Sequence, residues 1–299
     1  MSTKPLVRSG AFARRIEIGR PLAPLTTFRI GGPAEHFVRI QSRKELQLLA
    51  HMCRQEELPI RVIGGGSNLL VADEGVKGAV VDISAMKSVQ DFGTTVCAEA
   101  GAKLASVIAH TTQLGLGGLD GLAGIPGTIG GAVAMNAGGR YAEISQFVDW
   151  VVAMKPTGEL IEVSGKDLGF GYRSSRLEGA MVIEVYLKLA RGDVKELKAN
   201  ASRIHREKLA GQPYDQHSAG CIFTNPKGVG KGAGQLIDMA GLKGTREGDA
   251  QISERHANFI VNLGAATAAN VNSLIERARR RVHEEFGIHL ETEVKRWAA

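Results

Sequence analysis

Two glycine-dense segments constrain this chain more than anything else in it: GGGSN at residues 64–68 and AGIPGTIGGA at residues 123–132. The first follows directly on IRVI, an apolar run that reads as a short buried strand. Successive backbone N–H groups without side chains form a concave nest for phosphate oxygens, and Ser67 and Asn68 add side-chain donors. The second segment continues as AGIPGTIGGAVAMNAGG, with six glycines, Pro126, Thr128 and Asn136 within residues 123–139. A turn needs one or two glycines. This density implies a long stretch of backbone lying flat against a ligand. Glycine accounts for 38 of the 299 residues, against a usual share of about 7%. The loops alone imply a phosphate-bearing ligand held close to the backbone, with FAD as one candidate.

Rival nucleotide motifs fail on inspection. GVGKGAG at residues 228–234 hints at a Walker loop, but Asn225 stands where its first glycine belongs, and Gly232 where a magnesium-binding Ser or Thr belongs. The same stretch matches G-x-G-x-x-A but follows no expected strand, and GGGSNL lacks the third glycine of the dinucleotide fingerprint. A Walker ATPase and a standard Rossmann dehydrogenase are therefore not supported. Neither glycine loop contains the His or Cys that a covalent flavin tether would need.

Length allows two or three compact domains around one catalytic unit. No segment approaches the roughly 18 consecutive apolar residues of a membrane span, and the charged N-terminus lacks the apolar stretch of a secretory signal. Cys53, Cys97 and Cys221 are scattered, without metal-ligand spacing. A sparse, odd set of this kind implies reduced thiols and a cytoplasmic location, with no metal site expected. Net charge is +6, which draws anionic partners. The densest basic run, residues 277–281, is threaded by Val271, Leu274, Ile275, Ala278, Val282 and Phe286 at helical spacing. Its arginines then form the solvated face of one helix ended by Gly287. Without interleaved aromatics, nucleic-acid binding is not expected.

Residues 1–20 show no periodicity and are expected to be a loose arm. EHFVRI from Glu35 reads as a strand, and Ser42 with Glu45 reads as a capping box opening a helix that carries Leu46, Leu49 and Cys53 on one face. GAVVDI and TVCAEAG are expected strands, followed by a helix over residues 104–114. VDWVVAMKPTGELIEV reads as two strands about a Pro-Thr-Gly turn, and MVIEVYLKLA as another strand. A charged helix over residues 193–209 follows, then the helix AGQLIDMAGLKG with a glycine stop, the strand ANFIVNL, the arginine helix, and HLETEVKRW as a closing strand. The expected organisation is an α+β fold in five blocks. These are an arm (1–20), a cofactor region (21–192) in two lobes at about 21–84 and 85–192, a connector helix (193–210), a smaller α+β substrate-binding domain (211–288), and a terminal strand (289–299) returning to the active site.

GGGSNLLV followed by GIPGTIGGAVAMNAG resembles the vanillyl-alcohol-oxidase type of FAD-binding domain. LTTFRIGG at residues 25–32, GYRSSR at 171–176, SAGCIFTNP at 218–226 and LETEV at 290–294 narrow the likeness. In this order they resemble the family of UDP-N-acetylenolpyruvoylglucosamine reductases of peptidoglycan precursor synthesis, over roughly residues 20–297. The chain runs from Ala190 straight into its connector helix, like the shorter subtype that lacks an extra tyrosine-bearing loop. What the resemblance implies is non-covalent FAD, NADPH as co-substrate, and a UDP-linked enolpyruvyl sugar reduced at its double bond in cell-wall synthesis, by a monomer or weak oligomer. The alternatives are another FAD-dependent oxidase or dehydrogenase on the same scaffold, and a basic nucleotide-binding module.

Hydride attack on the enolpyruvyl terminus leaves charge on the carbon bearing the carboxylate. A cation and an acid beside that group stabilise the enolate. Arg173 matches the family arginine and Glu293 the family glutamate. A proton must then reach the carbanionic carbon, and where the family usually carries serine this chain has Cys221. A thiol with a pKa near ~8.5 is a stronger acid than an alcohol, and more open to oxidation and alkylation. Glu293 shares its expected strand face with Glu291, and the family pattern favours Glu293. Cofactor contacts are expected from Gly64, Gly65, Gly66, Ser67, Asn68, Pro126, Gly127, Thr128, Gly130, Gly131 and Ala132. Tyr172, Arg176, Asn225, Lys231, Gln235 and Lys243 are candidates for the substrate. His256 and Asn258 are either substrate contacts or groups that satisfy the backbone.

Overall fold

The computed structural model describes residue 12 and residues 14–298. In chain order the elements are β1 (Ile16–Pro21), β2 (Pro33–Arg39), α1 (Arg43–Gln55), β3 (Ile60–Ile63), β4 (Leu69–Val71), β5 (Val76–Asp82), β6 (Val89–Phe92), β7 (Thr95–Glu99), α2 (Leu104–Gln113), β8 (Leu116–Gly117) and α3 (Ile129–Ala134). They continue as β9 (Val148–Met154), β10 (Leu160–Ser164), β11 (Met181–Lys188), β12 (Ala190–Arg191), α4 (Val194–Gly211), β13 (His217–Cys221), α5 (Ala233–Met239), β14 (Arg246–Glu247), β15 (Ala250–Ile252), β16 (Phe259–Asn262), α6 (Ala268–Phe286) and β17 (Lys295–Trp297).

The chain forms two compact units whose segments interleave. The first takes the described residues up to Ile18 with Glu35–Gly65 and Lys77–Glu207; the second takes Gly19–Ala34, Gly66–Val76 and the chain from Lys208 onward. In the first unit a four-stranded sheet runs β1-β2-β5-β3, with β3 parallel to β5. A five-stranded antiparallel sheet runs β10-β9-β11-β7-β6. Its core joins Leu46, Leu49, Val81, Val96, Val107, Ile129, Val151 and Val185. Ser42 caps α1 by accepting from the Glu45 amide, and α1 buries Leu46, Leu49, Ala50, Met52 and Cys53.

The second unit carries the antiparallel sheet β13-β16-β15-β14, the helices α5 and α6, and the parallel pair β4–β17. Its separate core gathers Phe28, Ile30 and Leu70 with Ile222, Phe223, Leu236, Val271, Leu274 and Ile275. Polar contacts explain why residues 19–34 and 66–76 belong here. The Asp73 carboxylate accepts from the Ala268 and Ala269 amides at the start of α6, at 2.7 and 2.9 Å. A carboxylate there satisfies orphan donors and favours the helix dipole. The Asn262 side chain donates to the buried Phe28 carbonyl at 3.0 Å. On α6 the apolar stripe is buried from Val271 to Val282, with Phe286 half-buried, and Gly287 ends the helix in a left-handed conformation, φ 69°. Arg277, Arg279 and Arg281 pair with Glu247, Glu276, Glu284 and Glu285. The solvated face expected for this helix is the one observed.

Three features differ from the sequence expectation. Ile16–Pro21 is a strand rather than part of a loose arm, while residues 1–11 and 13 lie outside the described residues. The compact units are interleaved where consecutive blocks were expected, because backbone pairing and the two cores unite segments far apart in sequence. The closing strand is only Lys295–Trp297, and it pairs parallel with β4. Residues 291–294 run beside Ile222–Thr224 through isolated hydrogen bonds instead. Among the described residues no helix is long and apolar enough to cross a membrane.

Candidate active site

In the first unit, β3 delivers Gly64 and Gly65 to the second glycine segment. A Cβ on Gly65 would stand 2.8 Å from the Cα of Gly127, and one on Gly64 would strike the Thr128 hydroxyl. The two loops therefore cross backbone to backbone, which only glycine permits. Gly130 faces inward: a Cβ there would meet Ala100 at 2.7 Å. Gly131 is different, being exposed with only the Thr128 hydroxyl near a hypothetical Cβ, at 3.5 Å. Thr128 caps α3 by accepting from the Gly131 amide at 3.3 Å. Gly65, Pro126 and Gly131 all remain exposed, while Ala132 is buried. Part of the glycine content thus serves loop-against-loop packing, and the exposed remainder leaves a bare backbone cradle of the kind a flat, phosphate-bearing cofactor requires.

The GYRSSR segment of the same unit is a two-residue turn closed by Gly171 and Ser174, whose amides donate to each other's carbonyls at 3.0 and 3.3 Å. Arg173 is its third residue and adopts φ 55°. Turns with a positive φ at that place favour glycine or asparagine. An arginine there costs of order 1–3 kcal/mol, and such strain clusters at functional sites. The Arg173 guanidinium lies over the Tyr172 ring, 5.0 Å from its centre. The Arg176 amide donates to the Leu168 carbonyl, and its Cβ would crowd any side chain at Gly169.

In the second unit the remaining half of the first glycine loop meets the chain's other candidates. Gly66 has φ 58°, and a Cβ on it would overlap the Leu25 carbonyl. The Thr27 hydroxyl donates to the Ser218 carbonyl at 2.7 Å and its amide to the Gly66 carbonyl at 3.1 Å. The Asn68 side chain donates to the Glu293 carbonyl at 3.2 Å. The Glu293 amide donates to the Ile222 carbonyl at 2.8 Å, which seats Glu293 beside the strand that ends in Cys221. Between Ser218 and Cys221 that strand carries one more residue than its partner β16, and Gly220 takes φ 77°. Such a bulge bends the strand and re-aims the following side chain. Cys221 and Glu293 are both half-buried, while Glu291 is exposed. Ser67, Asn68, Cys221 and Glu293 are thus gathered from three distant parts of the sequence.

A model of an FAD-binding domain matches residues 34–164, spanning both glycine loops, and one of the C-terminal domain of UDP-N-acetylenolpyruvoylglucosamine reductase matches residues 212–297. The chain is 41% identical to UDP-N-acetylenolpyruvoylglucosamine reductase 2 of Symbiobacterium thermophilum, across 95% of this chain and 92% of that one. It is 42% identical to the Heliobacterium modesticaldum enzyme, across 92% and 88%. The crystal structure of the Thermus caldophilus enzyme superposes with a TM-score of 0.82 at 40% identity, covering 95% of this chain and 99% of that one. This chain belongs to the UDP-N-acetylenolpyruvoylglucosamine reductase family. The α+β fold expected, an FAD-binding region with a C-terminal domain, is the family's fold, and the flavin of this oxidoreductase family is the ligand that suits the glycine cradle.

The remaining candidates sort by their contacts. Asn258 is a clamp on the backbone: its side chain accepts from the Phe223 amide at 2.9 Å and donates to the Phe223 carbonyl at 2.8 Å, and it is buried. Its carbonyl also accepts from the Ile222 amide. Of the two roles considered for Asn258, the backbone-satisfying one is therefore observed. Asn258→Ala leaves both Phe223 groups unsatisfied and is expected to destabilise the fold by about 1–3 kcal/mol, read as a drop in Tm of the apoprotein. The His256 Nδ1 accepts from the Asn258 amide at 3.2 Å, and burial, then nearby Lys243, holds its pKa below the ordinary histidine value. Asn225 accepts from the Ala233 amide, and Gln235 from the Gly232 amide, so both order the loop leading into α5. Lys243 pairs with Asp238 at 2.7 Å, and Lys231 is exposed.

Tyr214 escaped the sequence reading. Desolvation and then the charge of the Cys221 thiolate push its phenol up to about 12, although its side chain keeps a solvent-exposed edge. No spacing rule marks a tyrosine seven positions before a cysteine, so nothing local could have singled it out.

Proposed function

We propose that this chain is the NADPH-dependent reductase that converts a UDP-N-acetylglucosamine enolpyruvyl ether to UDP-N-acetylmuramate, working as a cytoplasmic monomer or weak oligomer. The observation that carries the proposal is the gathering of Cys221 and Glu293 beside Asn68 of the glycine loop, by a bulge and by hydrogen bonds to Ile222 and Glu293. FAD held along the glycine segments at residues 64–68 and 126–132 would supply the hydride chemistry that links NADPH to the double bond. Arg173 holds the substrate carboxylate and offsets charge as it spreads into the enolate. Glu293 stabilises the same group, and the Cys221 thiol gives its proton to the carbon next to the carboxylate. The exposed side chains of Asn225, Lys231 and Gln235 at the entry to α5, with Lys243 and His256, are assigned to the UDP moiety. Tyr172 and Arg176 flank the carboxylate site.

The direct test is anaerobic. The holoenzyme is bleached with NADPH, the UDP-enolpyruvyl sugar is added, and the oxidised flavin absorbance should return in step with UDP-N-acetylmuramate formation. No return of colour would remove this assignment. A thiol reagent gives a second measure. Burial pushes Cys53 up to about 11 and raises Cys97 as well, which leaves both short of reactive thiolate at neutral pH. Alkylation is expected to inactivate the wild type at Cys221, and Cys221→Ser is expected to turn over and resist the reagent. Mass mapping of the label to Cys53 or Cys97 would contradict this.

A further inference from the structure

We propose that Asn136 is a positioning residue that fixes Arg173 relative to the flavin-binding glycine segment; this rests on the assignment of Arg173 to the substrate carboxylate. Asn136 lies just past the end of α3. Its amide donates to the Val133 carbonyl at 3.1 Å and the Ala137 amide to the Ala132 carbonyl at 2.7 Å, with φ of Asn136 at 40°. This is a Schellman helix stop, in which glycine is the usual residue and asparagine the second choice. Helix termination alone would therefore be served by glycine.

The side chain does something that glycine could not. It is 2% exposed, and its Nδ2 donates to the Gly171 carbonyl at 3.0 Å and to Glu143 at 3.2 Å, while its Oδ1 accepts from the Ser145 amide at 3.2 Å. Gly171 is the first residue of the turn that holds Arg173, and its carbonyl is the one that closes that turn. On the far side of the turn, the Ser175 hydroxyl donates to the Ala134 carbonyl at 3.0 Å. The strained arginine turn is thus bolted on both sides to the last residues of α3. The first turn of the same helix is capped by Thr128 of the glycine loop. Six residues of helix, a rod of about 9 Å, run from the Thr128 cap in the glycine loop to the turn that holds the arginine. Buried hydrogen bonds to a backbone carbonyl set position more firmly than they set charge, so the role of Asn136 is geometric.

The helix-stop geometry supplies a clean probe. Asn136→Gly keeps the favourable backbone conformation and removes all three side-chain bonds. In the holoenzyme it is expected to leave bleaching by NADPH close to wild type. Recovery of flavin colour on adding the UDP-enolpyruvyl sugar should slow on the order of tenfold to a hundredfold, the loss that a misplacement near 1 Å brings. In the apoprotein, amide exchange at Arg173–Ser175 should quicken while that of α3 holds. Combined with Arg173→Ala, the substitution should add no further slowing. Ser175→Ala, which removes the second bolt alone, should show the same pattern more weakly, and it decides the matter if Asn136→Gly fails to retain FAD. Colour recovery at the wild-type rate, equal slowing of both half-reactions, or full additivity with Arg173→Ala would overturn the proposal. Arg173→Ala at the wild-type rate would instead remove the role given to the arginine, and the proposal with it.

Discussion

Replacing Cys221 by alanine should leave bleaching of the flavin by NADPH intact and slow its reoxidation by the UDP-enolpyruvyl sugar by about 10²- to 10⁴-fold, the range that a positioned proton donor contributes. The separation is expected because the thiol has no part in hydride entry. It also has little part in building its own strand. The residues after Cys221 are held by Asn258, which grips both backbone groups of Phe223, and by the Ile222 carbonyl that receives the Glu293 amide. Truncating one half-buried sulfur leaves that frame in place, so the loss falls on proton delivery. Cys221→Ser keeps a donor of much lower acidity and should fall between the two. Stopped-flow traces of the two half-reactions, taken separately, decide it. A second half-reaction as fast in Cys221→Ala as in the wild type would take the proton donor's role away from this residue. Tyr214, whose phenol is pushed up by desolvation and by the Cys221 charge, would then be the next group to replace.

Local signals in this chain were legible because each has a local cause. Ser42 with Glu45 announced the start of α1, Gly287 the end of α6, and the two apolar runs about Pro-Thr-Gly the β9–β10 hairpin. The glycine loops were legible for the same reason, since each glycine reports on backbone within a few residues of itself. The interleaving of the two units was not legible. It depends on Asp73 reaching the start of α6 and on Phe28, Ile30 and Leu70 joining a core formed mostly after residue 208. Pairings across nearly two hundred residues leave no periodicity in either partner. The bulge at Gly220 is a related case: the segment SAGC shows a glycine but not that one extra residue is accommodated there against β16. Asn136 was noticed only as part of a glycine-rich stretch, because its partners at Gly171 and Ser145 come from other loops.

The two roles now distinguished among the glycines make opposite demands on alanine. At Gly65 a Cβ would press on the Gly127 backbone, 2.8 Å from its Cα, and neither loop can yield without losing the crossing. Gly65→Ala is therefore expected to lower the Tm of the apoprotein and to abolish stable FAD loading together, because the cradle itself is displaced. Overpacking of this kind costs about 1–3 kcal/mol, a large share of a stability that totals only about 5–15 kcal/mol. Gly131 lies within α3, is exposed, and leaves a Cβ at ordinary contact distance from Thr128. In the apoprotein Gly131→Ala should hold or raise Tm, since alanine is favoured over glycine in a helix by about 0.8–1.0 kcal/mol. Against the cofactor the same methyl group occupies the exposed backbone face, so FAD affinity should drop while stability does not. Titration of each apoprotein with FAD, beside its thermal unfolding, separates the two cases. A Gly131→Ala protein that binds FAD as tightly as the wild type would mean that the cofactor does not lie on this face of α3. A Gly65→Ala protein of unchanged Tm would mean that the crossing of the loops is made by the cofactor rather than by the chain.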